Sequence, residues 1–339
     1  GSDTVAADHF GCSVDIDGDT VIIGAYGQDA GGKSESVAVY VFTRTAGVWS
    51  EVAKTVGANT DDYFGYSVAI SGVTALVGAY GDDTKGTLAG AAYVLSKDQG
   101  GANKWGTASK ITAMDGAAQD NFGLTVALDQ NTAVIGARGD DDKGSLSGSA
   151  YVYFRSGGVW SLQQKLTGSD TAALDYFGTA LAIDGDSLVV GANLANTSSI
   201  DSGAAYVFTR SGTMWTEQQK LISIDPATQD YFGTSVAISG DRVLVGEWGD
   251  QPTTTVNDNG AAHIFTRTAG VWTHLKKIVA SDSTNGDGFG TAVALQGTVA
   301  VIGAPSDDDV GTNAGSVYML DKDTGGVDNW GEVTKVRAL

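Results

Sequence analysis

Carboxylates recur in this sequence at spacings that could bind a cation. An Asp stands two residues before a Phe-Gly pair in six stretches, whose phenylalanines are Phe10, Phe64, Phe122, Phe177, Phe232 and Phe289. Acidic runs follow in several repeats, at Asp82–Asp83, Asp140–Asp142 and Asp307–Asp309. Carboxylates that converge on flexible loops favour a hard cation, and calcium suits them best. The alternative is that each Asp caps its own turn by accepting backbone N–H bonds.

The Asp of each Phe-Gly motif is expected to approach the acidic run of its own repeat. The candidate calcium ligands are therefore Asp62, Asp82, Asp83, Asp120, Asp140, Asp141, Asp142, Asp287, Asp307, Asp308 and Asp309. The motif Asp also recurs where the following loop is poor in acids, as in "GANLANTSSIDSG". This recurrence favours capping for the motif Asp itself. At the acidic runs, calcium remains a candidate cofactor.

The elements that would position these carboxylates repeat along the whole chain. The motif phenylalanines are 54 to 58 residues apart, and a Trp, a Lys five residues later and a Gly-Ala pair keep the same interval. Each repeat of about 56 residues contains four short strands, A to D. Four-stranded units in series are typical of a β-propeller. The sequence predicts an all-β, six-bladed β-propeller of four-stranded antiparallel blades, forming one domain over residues 1–339 and without strand exchange where the termini meet.

This strand order places most aspartates at one end of each blade. In an A-B-C-D meander, the D–A and B–C connections lie at one end and the two hairpins at the other. The strand D lysine, five residues after the Trp, would point to the opposite side from it if the strand is unbroken. It is a candidate partner for an Asp of the D–A connection. The working face is therefore expected at the D–A and B–C end.

The repeats resemble the FG-GAP repeats of the integrin α-subunit propeller. "FG" stands in all six, whereas "GAP" survives only at Gly303, Ala304 and Pro305. The resemblance implies an extracellular interaction module, secreted or at the cell surface. Integrin propellers carry calcium loops in the hairpin between strands A and B. Here the interval of 14 residues from Phe to Gly-Ala leaves no room for such a loop, so those calcium sites are not carried over.

Composition narrows the class of partner. The formal net charge of −20 disfavours nucleic acid, because binding phosphates needs clustered Lys and Arg. The sequence contains no apolar run of 18 residues, so membrane insertion is not expected. A protein or polysaccharide ligand remains, and we expect a monomer.

A binding or adhesion module is the leading functional hypothesis. Trp248, in an acidic B–C loop, could stack on a sugar or anchor a protein. Arg138 and Asp140 belong to an Arg-Gly-Asp tripeptide, although repeat 2 has "YGD" in the same place, which favours coincidence. The alternative is a carbohydrate-active enzyme, a glycoside hydrolase or lyase that uses carboxylates of the same face. We expect no catalysis, because the three histidines occupy different positions of different repeats.

Overall fold

A computed structural model describes residues 1–2, 8–26, 37–102, 104–251 and 259–337 of the chain. The chain divides into two compact units, Gly1–Leu166 and Thr167–Leu339. Each unit contains three four-stranded antiparallel sheets, here called blades, and the described residues include one short 3₁₀ helix, Thr60–Asp62. The predicted fold class, an all-β six-bladed β-propeller of four-stranded blades, is confirmed. The single domain over residues 1–339 stays a prediction.

The first unit holds blades 1 to 3, whose strands A to D follow chain order. Blade 1 consists of β1 (Val14–Asp17), β2 (Thr20–Ala25), β3 (Ala38–Thr45) and β4 (Val48–Val56). Blade 2 consists of β5 (Val68–Ser71), β6 (Thr74–Ala79), β7 (Ala91–Lys97) and β8 (Trp105–Ile111). Blade 3 consists of β9 (Thr125–Asp129), β10 (Thr132–Ala137), β11 (Ser149–Ser156) and β12 (Val159–Leu166).

The second unit holds blades 4 to 6 in the same arrangement. Blade 4 consists of β13 (Ala180–Asp184), β14 (Ser187–Ala192), β15 (Ala204–Ser211) and β16 (Met214–Leu221). Blade 5 consists of β17 (Phe232–Ser239), β18 (Arg242–Glu247), β19 (Ala261–Thr268) and β20 (Val271–Ile278). Blade 6 consists of β21 (Ala292–Gln296), β22 (Val299–Ala304), β23 (Ser316–Asp321) and β24 (Gly331–Arg337). Among the residues that the structure describes, every blade is built from four consecutive strands, as predicted for a chain without strand exchange.

Strand B forms the buried centre of the blades, and a tight turn leads into it. All six residues of β6, β10 and β14 are buried. In every blade only two residues separate strand A from strand B. The first of them has a positive φ, which a glycine such as Gly72 (φ +59°) adopts at little cost. A two-residue turn cannot hold an integrin-type calcium loop, in agreement with the sequence.

The Phe-Gly pair joins neighbouring blades within a unit. Phe122 is fully buried and forms a parallel bridge with Gly90 of the preceding blade. Gly123 has φ +88°, and a Cβ atom there would lie 2.2 Å from the carbonyl oxygen of Ala91. Both a left-handed backbone and close approach therefore require glycine. The motif phenylalanine is buried in the other blades as well, except for Phe10, which is 38% exposed.

A β-bulge changes the direction of the strand D lysine. The pairing of strand D with strand C shifts register in all six blades, which accommodates one extra residue. In blade 3, Trp160 consequently pairs with Arg155 and Lys165 with Tyr151. Because Arg155 and Tyr151 are four residues apart on strand C, the Trp and the Lys share one face. The expectation of opposite faces, which assumed an unbroken strand, is wrong.

Candidate functional site

The acidic run of blade 3 surrounds the strand D lysine. Lys165 Nζ donates to carboxylate oxygens of Asp115, Asp140 and Asp142 at 2.8, 2.7 and 2.6 Å. The hydroxyl of the buried Tyr151 donates to Asp115 at 3.0 Å and to Asp140 at 2.9 Å. The D–A and B–C connections therefore meet at one end of the blade, as predicted. The predicted pairing of this lysine with a D–A aspartate is confirmed.

Blade 6 repeats this arrangement with equivalent residues. Lys335 Nζ donates to Asp282, Asp307 and Asp309 at 2.8, 2.7 and 2.6 Å, and the Tyr318 hydroxyl donates to Asp282 and Asp307, both at 2.8 Å. Blades 2 and 4 keep a smaller version, in which the lysine and the tyrosine share one aspartate: Lys110 and Tyr93 on Asp82, Lys220 and Tyr206 on Asp170. The Lys-Asp-Tyr contact is thus a repeated feature of the blades.

These contacts explain the charge state of the network. Burial alone would raise the pKa of Asp115, but the hydrogen bonds from Lys165 and Tyr151 and the charge of Lys165 together outweigh it, and the pKa is lowered. Burial likewise opposes the charged form of Lys165, yet its three carboxylate partners raise its pKa. The Lys165 ammonium and the Asp115 carboxylate therefore stay ionised at neutral pH.

The geometry of blade 3 also meets the basic requirement of a metal site. Asp115, Asp140 and Asp142 can each offer one oxygen, with all three oxygens within 4.8 Å of one another. An ammonium with three N–H donors already contacts all three carboxylates, and it supplies one positive charge among them. Acidic groups at metal-binding spacing are thus present, and in this blade a lysine lies among them.

The second aspartate of each acidic run stabilises its own loop. Asp83 Oδ1 accepts the backbone N–H of Leu88 at 2.8 Å, and Asp141 Oδ1 accepts that of Leu146 at 2.7 Å. Asp308 Oδ1 accepts the N–H of Asn313 at 2.8 Å. In each case the donor is five residues further along the chain and has a positive φ. These exposed carboxylates therefore fix the shape of the B–C connection.

The aspartate of the Phe-Gly motif caps the turn that precedes strand A. Asp120 accepts the backbone N–H of Ala117 at 2.7 Å, Asp175 that of Ala172 at 2.8 Å and Asp287 that of Thr284 at 2.6 Å; Asp230 accepts that of Ala227. All four aspartates are buried. Capping is therefore what the recurrent Asp does in blades 3 to 6, as its presence beside acid-poor loops indicates.

The motif aspartates nevertheless lie beside the acidic runs, as predicted. Burial raises the pKa of Asp120 to about 6, and the charge of Asp140 adds to the rise. Burial raises the pKa of Asp62 as well, with a smaller contribution from the charge of Asp82. Asp62, Asp82 and Asp83 also line one cavity of about 370 Å³.

Aromatic rings form a second cluster, in blades 1 and 2. The His9 and Tyr26 rings stack with centroids 5.0 Å apart, and the Tyr63 and Tyr80 rings stack at 4.7 Å. Tyr66 lies between the two pairs, with its centroid 5.1 Å from Tyr26 and 4.7 Å from Tyr80. None of the five is buried. A cavity of about 510 Å³ is lined in part by His9, Tyr26 and Tyr66.

The comparison with known families decides where the chain belongs. The FG-GAP repeat model matches residues 1–42, 49–95, 105–153, 160–208, 215–265 and 272–320. The chain belongs to the FG-GAP repeat family. Most of these matches run from strand D of one blade to strand C of the next. Among curated proteins, none matches the chain.

Blade 5 departs from the other FG-GAP repeats of the chain. Glu247 replaces the alanine after the strand B glycine, and His263 replaces the strand C tyrosine. His263 Nε2 lies 2.6 Å from Glu247 Oε2, and His263 Nδ1 lies 3.0 Å from His274 Nε2. Both Glu247 and His263 are fully buried. Burial raises the pKa of Glu247 to about 8 and lowers that of His263 to about 4, so both are neutral near pH 7.

The three candidate ligand-binding residues of this FG-GAP chain lie in different settings. Trp248 is half-buried and stacks on Tyr231, with parallel rings 5.0 Å apart. Asp140 is buried and bonded to Lys165, so the Arg-Gly-Asp tripeptide does not present a free carboxylate. Arg138 is half-buried and close enough to Tyr80 to interact electrostatically. Arg138 therefore adjoins the aromatic cluster.

Sequence reasoning missed the aromatic cluster, although a signal was present. His9 and Tyr63 immediately precede the motif Phe, and Tyr26 and Tyr80 immediately follow the Gly-Ala pair. The structure stacks these two positions on each other, and blade 5 does the same with Tyr231 and Trp248. Aromatic residues at both positions of one repeat would therefore have predicted the stacked pairs.

Proposed function

We propose that this FG-GAP protein is an extracellular, monomeric binding module for an uncharged polysaccharide, which contacts the aromatic cluster of blades 1 and 2. The fold supports a binding module, and FG-GAP repeats are typical of extracellular proteins. The observation that carries the ligand class is the contact of Tyr66 with Tyr26 and Tyr80, which joins the stacked pairs into one accessible surface.

The chemistry of this surface suits sugar rings. Tyrosine offers a flat apolar face for the C–H groups of a pyranose and a hydroxyl for its polar edge. Its two side-chain torsions cost little entropy when they are ordered by a ligand. The net charge of −20 disfavours an anionic polysaccharide. An uncharged polymer of sugars therefore fits better than an acidic one.

A basic protein ligand is less well supported than a polysaccharide. The working face carries many aspartates, but its net negative charge is reduced by lysines that form ion pairs with them: Lys110, Lys165, Lys277 and Lys335. No helix in the described part of the chain is long and apolar enough to cross a membrane. Salt dependence separates the two ligands, because binding to a basic protein should weaken steeply as salt rises.

Calcium at the predicted aspartates of blades 2, 3 and 6 remains a prediction. Its ligand atoms have suitable spacing in blade 3, yet Lys165 contacts each of the three carboxylates. We infer that the ammonium supplies the charge that calcium would otherwise bring. Calcium then enters blade 3 only when the lysine is removed.

We also propose that the chain binds its polysaccharide without cleaving it. A glycosidase needs a protonated acid and a second carboxylate within roughly 5–10 Å that is free to act on the substrate. In blades 3 and 6, the carboxylates of the working face are held by lysine, tyrosine or backbone N–H groups. Release of reducing ends from a bound polysaccharide would instead support the enzyme alternative.

Glycan-array binding followed by affinity electrophoresis with neutral polysaccharides tests the proposal. Tyr66→Ala and Tyr80→Ala should each weaken binding about five- to thirtyfold, since loss of one stacked ring costs roughly 1–2 kcal/mol. Tyr176→Ala is the matched control, because Tyr176 precedes the motif Phe of blade 4 but has Asn193 where Tyr80 stands in blade 2. Equal losses in all three variants, or binding only to a basic protein at low salt, would contradict the proposal.

A further inference from the structure

Blade 5 lacks two hydrogen-bond donors that the other acidic blades use. In blades 2, 3 and 6, the first aspartate of the B–C connection accepts from a tyrosine hydroxyl and from the backbone N–H two residues later. Asp250 occupies this position in blade 5. Its tyrosine is replaced by His263, which turns to Glu247, and the residue two places on is Pro252, which has no N–H.

Buried carboxylate oxygens are left without partners as a result. Among the residues that the structure describes, Asp250 Oδ2, Glu247 Oε1 and Asp230 Oδ1 are buried and accept no hydrogen bond. The exposed fractions of Asp250, Glu247 and Asp230 are 3%, 0% and 1%. A buried oxygen without a donor costs the free energy of its lost hydration. In blade 3, by contrast, both oxygens of Asp140 accept hydrogen bonds.

The same carboxylates lie close together. Asp225, Glu247 and Asp250 can each offer one oxygen, with all three oxygens within 4.8 Å of one another. Asp230 is near enough to interact electrostatically with Glu247 and Asp250. Lys277 Nζ contacts Asp225 at 2.8 Å and Asp250 at 2.7 Å, but these bonds use only one oxygen of each. One ammonium therefore faces four carboxyl groups, and further oxygen acceptors remain open.

We propose that blade 5 binds one divalent cation of the oxygen-preferring class, held by Asp225, Glu247 and Asp250 with Asp230 beside them. The open acceptors are all carboxylate oxygens, which is the ligand set of such cations. His263 acts as a positioning residue, because it holds Glu247 Oε2 at 2.6 Å and is itself held by His274. A histidine that does not touch the metal but hydrogen-bonds a ligating carboxylate fixes the orientation of that carboxylate. The site is independent of the proposed polysaccharide.

Cation titration of the chelator-treated full chain tests this site. Mn²⁺, Mg²⁺ and Ca²⁺ are titrated separately by calorimetry at high NaCl, and Mn²⁺ stoichiometry is counted by electron paramagnetic resonance. We expect one Mn²⁺ per chain and a rise in melting temperature of roughly 5–11 °C at a hundredfold excess over Kd. Glu247→Ala should weaken binding at least tenfold. Alanine stands at this position in the other five repeats, so the variant restores their residue type.

A double variant and a control keep the test decisive. Glu247→Ala with His263→Tyr rebuilds the residue pair of the other repeats and should fold without binding the cation. Asp142→Ala alters the comparable group of blade 3, where Lys165 lies, and should leave one Mn²⁺ bound. The proposal is overturned if none of the three cations binds at millimolar concentration. It is also overturned if binding survives in the double variant or is lost in Asp142→Ala.

Discussion

Replacing Lys165 with methionine removes the charge at the centre of the blade 3 network and keeps most of the apolar side chain. Asp115, Asp140 and Asp142 then lose their shared ammonium partner. Three carboxylates remain close together without a positive charge between them. We expect lower stability, and a new capacity to bind calcium at these three residues.

The magnitude follows from burial. The side chains of Lys165 and Asp140 are 18% and 5% exposed, whereas those of Asp115 and Asp142 are about half exposed. Removing one partner of a buried ion pair costs about 3–5 kcal/mol, and an exposed pair contributes about 0–1 kcal/mol. Asp140 keeps its bonds from Tyr151 and Ser149, which favours the lower end. We therefore expect a loss of about 3 kcal/mol, or roughly 6–12 °C in melting temperature for a unit of this size.

Urea and thermal unfolding with and without calcium measure both effects. Lys143→Met is the matched control, because Lys143 is an exposed lysine of the same B–C connection. Relative to the wild type, Lys165→Met should bind one additional calcium ion and regain about 2.7 kcal/mol at a hundredfold excess over Kd. If Lys165→Met unfolds like Lys143→Met, the lysine does not neutralise the group. If it binds no additional calcium, the ammonium does not stand in for a metal ion.

Two further substitutions test the capping aspartate and the Phe-Gly glycine. Burial raises the pKa of Asp120 from 3.8 to about 6, so its contribution to stability is greatest below pH 3.8 and is lost as pH rises through 6. Asp120→Asn keeps an acceptor for the Ala117 N–H. Its free energy of unfolding should exceed that of the wild type by roughly 1–2 kcal/mol at pH 8 but not at pH 4, as measured by urea unfolding at both pH values. An equal difference at both pH values would refute the burial argument. Gly123→Ala should cost roughly 2–4 kcal/mol because its Cβ would meet the Ala91 carbonyl, whereas Gly157→Ala, with open space around it, should cost about 1 kcal/mol. Similar melting temperatures for the two alanine variants would exclude the close contact as the cause.

The sequence by itself determined the four-stranded blade and the end of the blade at which the aspartates lie. Strand identity depends on local alternation and turn residues, which are written six times with nearly constant spacing, so four strands per repeat could be predicted without coordinates. The meander order follows from short connections, and it places Asp115 and Asp140 at the same end of blade 3. The constant interval between Phe and Gly-Ala likewise excluded an integrin-type calcium loop, because it leaves only two residues for the A–B turn.

Only the tertiary structure decided what each carboxylate does. A register shift within strand D brings Lys165 onto the same face as Trp160, and no pattern along strand D alone reveals where the extra residue is accommodated. Whether an aspartate oxygen is free depends on donors from three separate segments, which is why Asp140 is saturated while Asp250 keeps an open oxygen. Hydrogen-bond saturation is a property of groups brought together by folding, whereas periodicity is a property of the chain.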